Sequence, residues 1–127
     1  MTSFEISETI EASAETIYSA WLDSDGHTKM TGGEATCSDQ LGGEFTAWNG
    51  YISGKNLELK PGKLIKQEWR TTTFAEDDAS SIIEISLEDE GGGCRVTLKH
   101  SEIPDGQSDY NQGWKDHYFS PMQEYFG

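Results

Sequence analysis

The sequence predicts an α+β fold, an antiparallel curved sheet wrapped on one long C-terminal helix, and three observations predict it. Residues 108–126 sort into two faces on a helical wheel: Tyr110, Trp114, His117, Tyr118, Pro121, Met122 and Tyr125 share one arc, while Asp109, Gln112, Asp116, Ser120, Gln123 and Glu124 lie opposite. From residue 34 to 103 apolar and polar residues alternate in short runs broken by Gly, Pro and Asn, the signature of consecutive antiparallel strands. Between the first strand and that meander only two short helical stripes fit. The C-terminal helix, roughly 28 Å long if continuous, is apolar enough to cover one face of the sheet.

Each element has its own warrant. Residues 4–10 alternate apolar with polar side chains, an amphipathic strand. Ser13 is a good N-cap, and Ala14, Ile17, Tyr18 and Trp21 form a helical stripe. Asp23-Ser24-Asp25-Gly26 interrupts that helix, and residues 27–30 add one more turn before Gly32-Gly33. A short strand is expected over 34–38, turned by Leu41-Gly42-Gly43, then a strand over 44–48 with Phe45 and Ala47 on one face. Asn49-Gly50 signals a two-residue hairpin, because both residues accept positive φ.

Strands over 51–59 and 63–70 flank Lys60-Pro61-Gly62. In the second of them Ile65, Gln67 and Trp69 share a face. Ile83, Ile85 and Leu87 alternate with Ile82, Glu84, Ser86 and Glu88, and after Gly91-Gly92-Gly93 the residues Cys94, Val96, Leu98 and His100 alternate with Arg95, Thr97 and Lys99. Pro121, which has no N–H to give the carbonyl of His117, predicts a kink or break between His117 and Met122, with Ser120 as a fresh N-cap. Together these elements make a helix-grip arrangement.

Composition narrows the function. At 127 residues the chain is read as one domain, 1–127, able to bury a core without staples. Cys37 and Cys94 form no framework and read as free thiols of a reducing cytoplasm. No basic, then apolar leader opens the sequence, and no apolar run approaches the ~20 residues of a membrane span. The balance of 23 acidic against 9 basic residues, net −14, repels phosphate backbones and anionic headgroups, so neither nucleic acid nor a membrane surface is an expected partner.

Several motifs then stand in a fixed order. Ile10-Glu11-Ala12 and Ile17-Tyr18-Ser19-Ala20-Trp21 come first, followed by Met30-Thr31-Gly32 and Gly42-Gly43-Glu44-Phe45. The run from Gly50 to Leu59, Pro61-Gly62-Lys63-Leu64-Ile65, Gln67-Glu68-Trp69-Arg70 and Gly113-Trp114 with Tyr118 complete the set. In this order the chain resembles the C-terminal domain of the Hsp90 ATPase activator and its bacterial single-domain relatives, within the START-like (SRPBCC) superfamily of Bet v 1-like folds. The resemblance implies a cavity between sheet and helix, used by different relatives for apolar ligands, partner contacts or catalysis. It carries no invariant catalytic motif, so no catalytic residue is transferred.

The candidate site follows from strand parity and the wheel. Trp69, Trp114 and Tyr118 wall the sheet–helix interface, either as core or as a pocket. Gln67 and His100 are its polar anchors, His117 faces His100 across it, and Met30 stands at its mouth. His27, His100 and His117 are the only histidines and show no metal-ligand spacing, so no metal and no cofactor is expected. Phe119 and Phe126, at or beyond the edge of the arc, suggest an exposed contact surface, hence a monomer or weak dimer. Three functions are compatible with this: a carrier of a small apolar ligand, a lipid or a planar aromatic; an interaction module for an Hsp90-type chaperone; and a cofactor-free, polyketide-cyclase-like enzyme using His100 or His117. The first is the principal expectation.

Overall fold

The six strands form one antiparallel sheet: β1 (Thr2–Ile10), β2 (Glu44–Ala47), β3 (Ile52–Lys60), β4 (Leu64–Thr71), β5 (Ser81–Glu90) and β6 (Gly93–Ile103), in the order β1-β6-β5-β4-β3-β2. This computed structural model describes residues 2–107 and 109–126; Ser108, where the predicted C-terminal stretch begins, lies outside them. The period-2 pattern does what it predicts. On β4 the residues Ile65, Gln67, Trp69 and Thr71 are buried, on β5 Ser81, Ile83, Ile85 and Leu87, and on β6 Cys94, Val96, Leu98 and His100.

The opposite face carries a row of alternating charge across five strands. Glu58 pairs with Lys66, Lys66 with Glu84, Glu84 with Lys99, and Lys99 with Glu5. Opposite charges placed directly across strands favour this register, because a slip by one residue loses every pair and turns the apolar set outward.

Two helices follow β1, α1 (Ala14–Trp21) and α2 (Ser24–Thr31). Ser13 caps the first, its Oγ accepting from Thr16 N–H at 3.1 Å. The second begins earlier than expected. Asp23 accepts from Gly26 N–H at 2.8 Å, so the run that reads as an interruption is α2's capped first turn. Gly26 belongs there for packing: a Cβ would stand 2.9 Å from Ala20 Cα on α1.

Residues 34–38 do not form a strand; among the described residues they make one bridge, Thr36 to Thr46. The reason is competition for backbone donors. Thr28 Oγ1 accepts from Ala35 N–H at 3.0 Å and Ser24 Oγ from Cys37 N–H at 2.9 Å, so the segment follows α2 instead of the sheet. The β2–β3 connection is also longer than two residues. Ala47 pairs with Ile52, and Trp48 (φ 50°), Asn49 (φ 60°) and Gly50 (φ 87°) all lie in the left-handed region.

The C-terminal helix runs as α3 (Tyr110–Trp114), a π-helical turn (Lys115–Phe119) and α4 (Ser120–Phe126). The irregularity expected around Pro121 is present but differs in kind: Ser120 is helical (φ −63°, ψ −49°), not a cap, and its N–H donates to Lys115 C=O, five residues back. A wider turn accommodates a proline ring that would crowd His117 C=O in an unbroken α-helix. It also carries one extra residue, which rotates everything beyond it. Phe119 is therefore buried and Phe126 packs on the core, whereas Tyr125, expected inward, is 50% exposed.

Candidate functional site

The sheet–helix interior is occupied by side chains with fixed hydrogen bonds. Trp114 Nε1–H donates to His100 Nδ1 at 3.0 Å, which leaves the ring proton on Nε2, 2.8 Å from Ser81 Oγ; Ser81 in turn donates to Trp69 C=O at 2.6 Å. Burial holds His100 at a pKa of about 3, so the imidazole is neutral. His27 takes the other tautomer. Its Nδ1 lies 2.8 Å from Trp21 C=O, which can only accept, so Nε2 accepts from Tyr118 O–H at 2.8 Å. Burial pushes the Tyr118 phenol up and the His27 imidazole down.

Trp114 sits where strand parity and the wheel place it, its ring 5.5 Å from Trp69 and 4.7 Å from Tyr118. Gln67 is buried, its Nε2–H donating to Asn56 Oδ1 at 2.8 Å; Asn56 donates to Ser38 C=O and Gln40 C=O at 2.8 and 2.9 Å, tying the long loop to the sheet. Gln67 Oε1 has no partner among the described residues. Met30 is fully packed in the core.

The open space lies to one side of this core. A cleft of about 690 Å³ runs between the β2–β3 turn and the C-terminal helix. The buried residues Ile52, Trp69, Trp114 and Tyr118 form its bottom. Trp48 and Tyr51 form the wall from the turn, and Tyr110, Gly113 and His117 the wall from the helix. Asp109, Gln112 and Asp116 complete its rim. Tyr110 is held by Thr71, their hydroxyl oxygens 3.0 Å apart.

Trp48 is under three constraints. Its backbone is left-handed, its ring takes the space a Cβ on Gly33 would fill, and its Nε1–H is buried without a partner among the described residues. Its indole stands edge-on to His117, ring centres 5.2 Å apart. Non-Gly residues held at positive φ against such costs cluster at binding sites.

Of the side chains singled out in the sequence, the cleft brings together Trp69, Trp114, His117 and Tyr118; Met30, Gln67 and His100 lie in the packed interior away from it. Trp48, Tyr51 and Asp116 were not among them. Trp48 is out of phase with Phe45 and Ala47, so strand parity turns it away, and only its left-handed backbone brings it to the cleft. Tyr110, on the apolar arc, was within reach of the same reasoning. No cluster of three or more His, Cys, Asp or Glu suited to a metal exists among the described residues. Cys37 and Cys94 are free; burial raises both, Cys37 to about 11, so neither is a ready nucleophile.

Comparison with known proteins matches residues 11–127 to the family described as Activator of Hsp90 ATPase homolog 1-like protein. The Activator of 90 kDa heat shock protein ATPase homolog 1 of Homo sapiens is 27% identical over 96% of this chain and 36% of its own length. The Dictyostelium discoideum homolog is 24% identical over 96% of this chain and 32% of its own length. The chain thus spans about a third of the curated relatives it matches. Among solved structures, an HSP90 activator from Plasmodium falciparum superposes with a TM-score of 0.87 at 22% identity, covering 98% of this chain and 95% of that one. The Aha1 dimer from Colwellia psychrerythraea gives 0.80 at 22%, covering 99% and 97%. CalU16 from Micromonospora echinospora gives 0.79 at 21%, covering 98% and 76%. At these identities the structural likenesses establish the helix-grip fold.

Proposed function

The chain belongs to the Activator of Hsp90 ATPase homolog 1-like family, and from that premise we propose that it is a binding domain whose cleft takes a small, planar apolar molecule. The observation that carries this is the cleft itself. It is concave, of ligand size, and walled by tryptophans and tyrosines with a few polar groups at its margin. The ligand slides between Trp48 and Tyr51 on one side and Tyr110 and His117 on the other, stacking above Trp69 and Trp114. The proposed role is binding rather than catalysis, because His100 is fully buried with both ring nitrogens engaged and, among the described lining residues, His117 alone of the histidines reaches the cleft. Two unpaired thiols agree with a reducing, cytoplasmic setting.

The test is a thermal-shift and NMR titration against lipids and planar aromatics. A ligand raises the melting temperature with concentration and perturbs Trp48, Trp69, Trp114 and Tyr118. If no compound moves those resonances, the ligand reading fails. A second reading, contact with an Hsp90-type chaperone, is favoured by the names of the curated relatives. A pull-down with such a chaperone, with and without a ligand that fills the cleft, separates the two.

A further inference from the structure

We propose that the cleft selects an organic cation, a planar aromatic ring carrying a fixed positive charge, over neutral or anionic molecules of the same shape; this rests on the ligand reading above and names the class of ligand. The cleft is bounded by aromatic rings and by two carboxylates, Asp109 and Asp116, and neither Lys nor Arg lines it. Aromatic faces present negative charge density, so rings around a desolvated cation attract it, tryptophan most strongly. Trp48, Trp69 and Trp114 are all in place for this.

The carboxylates add the second half. Asp116 Oδ1 accepts from Gln112 Nε2–H at 2.9 Å, and Asp109 Oδ1 accepts from Gln112 N–H at 3.3 Å. Each makes one hydrogen bond to an uncharged group, and neither is neutralised by an ion pair in the described structure. The distribution of bases points the same way. Of nine, Lys55, Lys60, Lys63, Lys66, Arg70, Arg95 and Lys99 belong to β3–β6 and the β3–β4 turn, and four of them pair with acids there. The other two, Lys29 on α2 and Lys115 on the π-helical turn, do not line the cleft, so its charged lining groups are the carboxylates Asp109 and Asp116, which draw cations and repel anions.

The experiment compares N-methylquinolinium with its neutral isostere 1-methylnaphthalene by NMR titration of the full chain at low and high NaCl. The expected result is about tenfold tighter binding of the cation at low salt, with shifts on Trp48, Trp69 and Trp114 and a gap that narrows as salt rises. The pair Asp109→Asn, Asp116→Asn keeps the size of both side chains and the cap at position 109, so it folds; in it the cation's advantage over the isostere shrinks severalfold. Equal binding of cation and isostere at the cleft overturns the cation inference and leaves the ligand reading standing. A cation preference that survives both substitutions and high salt overturns the role assigned to the carboxylates. If neither compound, nor any of the lipid and aromatic panel, perturbs the cleft, the ligand reading falls and this inference with it.

Discussion

Two buried histidines, locked in opposite tautomers by different acceptors, make the residue scale sensitive to acid. His100 in the folded state titrates at about 3, far below the ~6.5 of an exposed imidazole. Between those values the unfolded chain binds a proton that the folded chain refuses. The stability from keeping His100 neutral is therefore complete above pH ~6.5 and is lost progressively as pH falls, by roughly 2 kcal/mol at pH 5. His27, lowered by the same burial, acts in the same direction. Urea unfolding at pH 7.5, 6 and 5 checks this; a flat profile across that window would mean that these imidazoles are not held neutral. The histidines also show where the sequence stopped being legible. Parity correctly turned His100 inward, and the wheel correctly sent Trp114 to meet it. What no pattern disclosed is that each satisfies the other, which removes His100 from the ligand-binding set.

At the scale of elements, the helix beyond Lys115 separates wheel from structure. A wheel assumes one angle per residue, and the π-helical turn breaks that assumption once. Phe119→Ala should cost about 3–5 kcal/mol, as for any large side chain removed from a packed core. Tyr125→Ala, at a position the wheel buries and the structure exposes, should stay within about 0.5 kcal/mol. Chemical denaturation of the two variants decides it; equal losses would restore the straight helix. The strands were legible because a period of two survives twist and small register shifts. The segment 34–38 was not, because its fate turns on Ser24 and Thr28, side chains of a neighbouring helix capturing its amides. Trp48 was missed for a related reason: a left-handed φ reverses the side of the sheet that a side chain serves, and alternation cannot register the reversal.

For the molecule as a whole, the charge imbalance sets the response to salt. With 23 acids against 9 bases, the folded chain repels itself, and screening relieves more repulsion than attraction. The melting temperature should therefore rise by several degrees between low ionic strength and molar NaCl, against the fall expected if surface ion pairs held the fold together. Differential scanning calorimetry at fixed pH measures it. The sheet's strand order has a further consequence, for the time course of folding. β1 lies at an edge and pairs with β6 alone, Ile10 with Cys94 and Phe4 with His100. Its backbone thus has no partner in the sheet until β6 has been made, so on a ribosome the first strand waits while the four strands and two helices between them are synthesised. The hairpins β3–β4 and β5–β6 can form meanwhile from neighbouring residues. Closing the long loop between the two ends is the slow, entropically costly step. Until it is complete, β6 presents a bare edge of amides and carbonyls, and it is then that the chain is most exposed to pairing with another copy of itself.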